Sequence, residues 1–153
     1  MLFRSALYAE GLGGSLGLYR DPFSRFGNLR EEIWRAARLV VDTGIHALGW
    51  SRSQAIDWMS GCCGLARDDV AAEVDRYFNW PGQALGYKLG QMKILALRER
   101  ARQALGERFD IRQFHQVVLD HGSVPLPVLE QLVDGWIAQQ RARPLKAPRA
   151  ART

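Results

Sequence analysis

Apolar residues recur at helical spacing along almost the whole 153-residue chain, and this feature limits the possible folds more than any other. Between Leu29 and Leu48 the apolar or small residues occupy the positions of one buried helix face: Ile33, Ala37, Val40, Val41, Gly44, Ile45 and Leu48. No stretch alternates apolar and polar residues, as a half-buried strand would. The sequence therefore predicts an all-α fold, a bundle of about six or seven helices.

Local signals predict where several helices begin. Ser51 with Gln54, and Asp110 with Gln113, have the spacing of capping boxes, in which a side chain at each position satisfies a backbone N–H of the first turn. The last helix is expected to start at the proline pair of residues 125 and 127, because proline lacks only an N–H that the first turn leaves unpaired.

Pro81 is likewise expected to open a helix, which would continue through Tyr87 to a stop at Gly106. Its first turns would carry three glycines at four-residue spacing along one face: Gly82, Gly86 and Gly90. Glycine within a helix costs about 1 kcal/mol relative to alanine, so something must offset the stripe. Close packing of another helix is one explanation, and a groove floor for a substrate backbone is the other. Gln83 shares a neighbouring face with Tyr87, so both could reach one ligand.

A second set of polar residues is spaced one helical turn apart: Arg38, Asp42 and His46. A carboxylate beside an imidazole fixes its tautomer and raises its pKa, which suits hydrolytic chemistry. The same spacing is also typical of an ordinary surface ladder of charged side chains. From spacing alone the surface ladder is the expected interpretation.

The net charge of +5 comes from the C-terminal end. Residues 141–153 contain five basic residues and no acid, which leaves 16 basic and 16 acidic residues in the rest of the chain. This segment is predicted to be a disordered basic tail, with no nucleic-acid partner. No apolar run is long enough to cross a membrane, and no signal peptide is recognisable, so no membrane partner is expected and cytoplasmic localisation is the default expectation.

The chain offers no pattern of metal ligands. Its histidines are His46, His115 and His121, and no H-E-x-x-H segment is present. The adjacent cysteines Cys62 and Cys63 lack C-x-x-C spacing and are expected to be reduced thiols. No metal-binding residue is predicted in this chain.

Several segments, in order and at consistent spacing, resemble a large family of bacterial proteins known as domain-of-unknown-function family 885. The matching strings are ALYAE at 6–10, LYRDPFSRFGNL at 18–29, RAARLVVDTGIHALGWSRSQAI at 35–56, EVDRYFNWPGQALGYKLG at 73–90, LGERFDIRQFH at 105–115 and GSVPLPVLEQLVDGWI at 122–137. The resemblance assigns residues 1–140 to the C-terminal helical part of such a domain and leaves 141–153 as the tail.

The family is similar to helical zinc metallopeptidases, which implies zinc as the cofactor and a peptide as the substrate of the full-length protein. Its members carry H-E-x-x-P-G-H-H before the region matched here, and a further ligand Glu in E-G-W-A-L-Y-A-E. This chain has Phe3-Arg4-Ser5 where the family has E-G-W, and Glu10 is the one glutamate of that segment it retains. By this comparison the chain lacks the zinc-binding motif.

The resemblance also suggests site residues of the parent enzyme. His46, Tyr77 and Tyr87 are candidate catalytic residues that would contact the transition state or substrate, and Arg76, Gln83, Gly82 and Gly86 are candidate substrate-binding residues. The expected function is the C-terminal part of a zinc-dependent peptide hydrolase, inactive alone and self-associating through exposed apolar surface. The alternatives are a non-catalytic helical module that binds peptide or protein, or one half of a split hydrolase.

Overall fold

A computed structural model describes the backbone of residues 2–143 and the side chains of residues 5–143. Within this part of the chain, seven α-helices follow one another and no strand occurs, which confirms the all-α prediction. The helices are α1 (Leu2–Leu12), α2 (Pro22–Leu48), α3 (Arg52–Cys63), α4 (Arg67–Asn79), α5 (Gly86–Leu105), α6 (Ile111–Asp120) and α7 (Leu126–Ala142). Short 3-10 helices precede and follow α5, at Gln83–Leu85 and Gly106–Arg108.

Most helix ends follow from nearby residues. Ser51 and Gln54 form the predicted capping box at the start of α3. Asp110 caps α6 as expected, but its side chain accepts from the backbone N–H of Arg112 at 2.9 Å, and the reciprocal bond that would complete a capping box with Gln113 is not present. Arg141 and Ala142, which were assigned to the predicted tail, are the last residues of α7. Residues 144–153 of the predicted tail lie outside the described part of the chain.

Pro81 does not open a helix, and here the sequence prediction is wrong. Pro81 and Gly82 form a turn after α4, the 3-10 helix follows, and α5 begins only at Gly86. Gly82 has a φ of +77°, a left-handed conformation that glycine adopts without the steric cost of a side chain. The three glycines therefore do not form one helical stripe, because Gly82 belongs to the turn.

The described fold divides into two compact units, with the boundary between Ile94 and Leu95 inside α5. In the first unit, α2, α3 and α4 pack together around a core whose members are almost fully buried: Ala37, Val41, Ile45, Ala55, Ile56, Met59, Val70, Val74, Tyr77 and Ala84. In the second unit, α6 packs against α7, and the aromatic rings of Phe109, Phe114 and Trp136 contact one another.

Burial along α2 differs from the pattern predicted for Leu29–Leu48. Ala37, Val41, Gly44 and Ile45 are buried. Other apolar residues spaced along the same helix are exposed: Phe23, Phe26, Leu29, Ile33, Val40 and Leu48. We call these six residues the α2 apolar stripe. Where Arg38 and Asp42 were expected on the surface, they are instead buried, at 8% and 2% exposure.

Candidate functional site

The turn between α4 and α5 is held to α2 by a buried carboxylate. The backbone N–H of Gly82 donates to both oxygens of Asp42, each at 3.1 Å. Asp42 is therefore a structural anchor for the turn, and the expected surface ladder of Arg38, Asp42 and His46 is not formed. Because the carboxylate is buried, its hydrogen bonds to Gly82 are needed to offset the cost of removing its charge from water.

The imidazole of His46 contacts the backbone at the end of α4. Its Nε2 lies 2.9 Å from the carbonyl oxygen of Tyr77. Since a carbonyl oxygen can only accept, Nε2 must carry the proton and donate. The Tyr77 carbonyl also accepts from the backbone N–H of Trp80 at 3.3 Å, so the imidazole adds a second bond at the end of α4. The Nε2 atom is thus occupied by a structural hydrogen bond, and His46 lies beside the backbone of Tyr77, not its hydroxyl.

Arg38 lies at the centre of an arrangement of arginine and tyrosine side chains. Its guanidinium lies 5.2 Å from the ring centre of Tyr87 and 6.0 Å from that of Tyr77. Arg35 lies 5.7 Å from the Tyr87 ring, and Arg76 lies 5.2 Å from the Tyr77 ring. Two tyrosines on different helices are therefore each contacted by two guanidinium groups, an attractive arrangement between cations and aromatic rings. We call these five residues the Arg–Tyr cluster.

Glu73 joins two of these arginines. Its carboxylate accepts from Arg76 at 2.8 Å and from Arg38 at 3.3 Å. Arg76 also donates to the side-chain oxygen of Gln83 at 2.5 Å, which connects α4 to the 3-10 helix after the turn. Partial burial opposes ionisation of Glu73, but the hydrogen bond from Arg76 and the charge of Arg38 prevail, so the pKa of Glu73 lies below its usual value. Glu73 is a carboxylate near neutral pH.

Three buried polar atoms of the cluster lack a hydrogen-bond partner among the described residues. They are the Nε atoms of Arg35 and Arg38 and the hydroxyl of Tyr77, which interacts with the Glu73 carboxylate but makes no hydrogen bond of ordinary geometry. Burial raises the pKa of Tyr77 well above its ordinary value, so the hydroxyl stays protonated and can donate. An unpaired buried donor typically costs about 1–3 kcal/mol, which makes these atoms candidates for contact with a bound group.

The structure therefore brings most of the predicted site residues into one neighbourhood of the first unit. The cluster contains Arg76, Tyr77 and Tyr87, and Gln83 adjoins it through its hydrogen bond to Arg76. His46 contacts the backbone of Tyr77, and Gly82 contacts the side chain of Asp42. A Cβ added at Gly82 or Gly86 would meet no described atom within 4 Å, so close helix packing does not explain either glycine. Arg35, Arg38 and Glu73 were not predicted as site residues.

The residues described do not fit a zinc site. No group of three or more His, Cys, Asp or Glu side chains within residues 5–143 is placed to hold a metal ion. The Nε2 of His46 is already bonded to a carbonyl oxygen. We therefore derive no catalytic step through zinc from these residues. What the cluster offers is donors: guanidinium N–H groups and a protonated phenol.

Glu73 should make stability depend on pH. Its pKa is lowered by folding, so the stabilisation is present above the ordinary glutamate pKa and is lost as pH falls through the lowered folded-state pKa. We expect the free energy of unfolding of the Glu73→Gln variant to lie below that of the parent at pH 7. The difference should shrink below about pH 4. Urea unfolding at a series of pH values measures it.

The control is Asp75→Asn. Asp75 forms a bidentate pair with Arg52, but both side chains are about half exposed. Exposed pairs contribute little and are screened by salt, so its effect should be smaller and should fade at high ionic strength. A Glu73→Gln variant whose stability parallels that of the parent at every pH would contradict the assigned role.

Comparison with known proteins places this architecture in a family. Residues 6–133 match the family described as "Bacterial protein of unknown function (DUF885)". No curated protein matches the chain. A solved structure described as "the putative lipoprotein from Colwellia psychrerythraea" is 52% identical and superposes with a TM-score of 0.87. The match covers 90% of this chain but 24% of that one, so the present chain spans about a quarter of that protein's length.

This similarity corrects the expected localisation. The cytoplasmic default rested on the lack of a recognisable signal, whereas the similar solved protein is described as a lipoprotein. Separately, none of the described helices is long and apolar enough to cross a membrane. Since the family match extends over most of the chain and includes every segment that builds the Arg–Tyr cluster, this chain belongs to the DUF885 family of bacterial proteins of unknown function.

Proposed function

We propose that this chain forms the substrate-binding part of a metallopeptidase-like protein and binds peptide without hydrolysing it alone. The observation that carries the proposal is the Arg–Tyr cluster, which presents buried unpaired donors yet lies among residues that supply no metal-ligand set. Resemblance to helical zinc metallopeptidases suggests a peptide as the ligand. The metal-binding residues would lie in another segment of a longer family protein, of which this chain would be the C-terminal part.

Open space around two glycines supports a groove for the peptide backbone. Gly82 is exposed and Gly86 is half-buried, and neither would place a Cβ against a described atom. Gln83 lies between them and is oriented by Arg76 at 2.5 Å. An amide held in this way can hydrogen-bond an extended peptide backbone, which presents both N–H and C=O groups.

The test is binding and cleavage measured on the same peptides. We expect the polarisation of a fluorescein-labelled pool of random hexapeptides to rise saturably as the chain is added. Gln83→Ala should weaken binding, whereas Gln131→Ala, which removes an exposed glutamine of α7, should not. Mass spectrometry should find the peptides intact. Cleavage that stops on adding a chelator would refute binding without hydrolysis, and an unchanged polarisation would refute peptide binding itself.

We also propose that further polypeptide covers the α2 apolar stripe in the longer family protein. The stripe includes Phe23 and Phe26, which are 86% and 67% exposed, and the chain matches only 24% of the solved relative. Contiguous exposed apolar surface favours association. By analogy with that relative, the longer protein would be an exported lipoprotein, and the other part of the site could come from the same or a separate chain.

Without that covering segment, the isolated chain is expected to self-associate through the α2 apolar stripe. Light scattering after size-exclusion chromatography should show a mass that rises with concentration, and Phe26→Gln should shift the population toward monomer. Leu119→Gln is the matched control, because Leu119 is 60% exposed but lies on α6. A monomer at all concentrations, or an equal response to both substitutions, would contradict this prediction.

A further inference from the structure

The Arg–Tyr cluster has the donors of a carboxylate-binding site. Arg35, Arg38 and Arg76 come from two helices, and their side chains are 19%, 10% and 28% exposed. The three side chains are therefore partly buried but still accessible to solvent. Guanidinium groups bind carboxylates through paired, parallel N–H donors, and such charge-assisted bonds are roughly twice as strong as neutral ones.

The existing partners leave part of this donor capacity unused. Arg35 pairs with Glu31 through a terminal nitrogen, and Arg38 donates to Glu73 through another. In both residues the Nε is buried without a described partner. The fork of an arginine uses Nε together with a terminal nitrogen for one of its paired contacts to a carboxylate. An incoming carboxylate would satisfy the Nε donors that the protein itself leaves unpaired.

The tyrosines contribute a hydroxyl donor from Tyr77 and an aromatic surface from Tyr87. Tyr77 is fully buried, and its hydroxyl interacts with the Glu73 carboxylate without forming a hydrogen bond of ordinary geometry. The ring of Tyr87 is contacted by the guanidiniums of both Arg35 and Arg38, at 5.7 and 5.2 Å, which holds the two groups on the same side chain. Phenol and guanidinium groups are both donors, and together they suit an anion with more than one acceptor oxygen.

We propose that the Arg–Tyr cluster binds a carboxylate group of the peptide ligand. This inference rests on the proposed peptide-binding function and names the chemistry that would anchor the peptide. The carboxylate could belong to the peptide's C-terminus or to an aspartate or glutamate side chain. If the site binds the free C-terminal carboxylate, it selects the ends of peptides.

The experiment compares matched hexapeptide pools labelled at the N-terminus. One pool has free C-terminal carboxylates, a second is C-terminally amidated, and a third is amidated and lacks aspartate and glutamate. If the C-terminus is the ligand, the free-acid pool should bind roughly tenfold more tightly than either amidated pool. If an acidic side chain is the ligand, binding should fall only with the third pool. Both outcomes support the carboxylate site and distinguish its source.

Arg35→Gln and Tyr77→Phe test the residues, with Arg52→Gln as the matched control. Arg52 is 55% exposed and pairs with Asp75 on the surface. The first two variants should each weaken free-acid binding severalfold to tenfold, and the control should not. In ¹⁵N spectra, the Nε–Hε resonances of Arg35 and Arg38 should shift on adding a pool that carries the recognised carboxylate, and not on adding the amidated pool that lacks aspartate and glutamate. Circular dichroism verifies that each variant is folded.

The two proposals fail in different ways. If all three pools bind equally and Arg35→Gln has no effect, the carboxylate inference is overturned while peptide binding stands. If no pool binds, peptide binding itself is refuted.

Discussion

Tyr77→Ala is expected to lower the free energy of unfolding by about 3–5 kcal/mol, the range measured when a large buried aromatic is truncated. Tyr77 is fully buried and belongs to the core formed by α2, α3 and α4. Its ring also lies against the guanidiniums of Arg38 and Arg76. Removing the ring would leave a cavity and would take away the aromatic surface that both guanidinium groups contact. Urea unfolding followed by circular dichroism measures the change.

Tyr77→Phe separates this structural role from the proposed binding role. The ring is retained, and the hydroxyl that the substitution removes is buried and makes no hydrogen bond of ordinary geometry, although it interacts with Glu73. Deleting an unpaired buried polar group is close to neutral or stabilising. We therefore expect the stability of Tyr77→Phe to equal or slightly exceed that of the parent, while binding of free-acid peptides weakens. A large loss of stability in this variant would mean that the interaction of the hydroxyl with the Glu73 carboxylate is a stabilising hydrogen bond.

Gly44→Ala is expected to destabilise the first unit by about 1–3 kcal/mol, the usual cost of forcing extra volume into a packed core. Gly44 lies within α2, where alanine would otherwise be favoured by helix propensity. A Cβ at this position would lie 2.5 Å from two ring carbons of Trp50, a rigid side chain that packs against the core. The steric conflict should exceed the gain in propensity. Thermal or urea unfolding provides the comparison.

Gly135→Ala is the matched control for Gly44→Ala. Gly135 lies in the middle of α7, and an added Cβ would meet no described atom within 4 Å. The same substitution should therefore stabilise the protein by roughly 0.5–1 kcal/mol, since alanine loses less backbone entropy on folding. If both variants changed stability in the same direction and to the same extent, the contact between Gly44 and Trp50 would not be the cause.

Helix ends were predictable where both partners of the capping contact lie within one turn. Ser51 and Gln54 are three residues apart, and their capping box formed as predicted. The start of α7 has no side-chain cap and follows instead from proline in the first turn, where its missing N–H is not needed. Helix α5 stops at Leu105 before a left-handed Gly106. Pro81 misled the prediction because proline fits a turn as well as it fits a first helical turn, and the neighbouring Gly82 decided between them.

The candidate site was only partly predictable. Arg76, Gln83, Tyr77 and Tyr87 came from the family resemblance, and Arg76 does contact Gln83. Arg38 was assigned to the surface because its one-turn spacing from Asp42 and His46 is typical of a surface ladder of charged side chains. Its burial depends on Glu73, 35 positions later in the chain, and on aromatic rings from two other helices. No local pattern contains such a contact.

The sequence by itself determined that this chain is helical, where most helices begin and end, and which bacterial family it resembles. These properties depend on backbone hydrogen bonds and side-chain spacing within a few residues. Only the tertiary structure decided that Asp42 holds the turn at Gly82, that His46 donates to the Tyr77 carbonyl, and that three arginines meet two tyrosines. Apart from the contact between the neighbouring residues Arg76 and Tyr77, these contacts join residues 31 to 52 positions apart, so they exist only once the helices have packed.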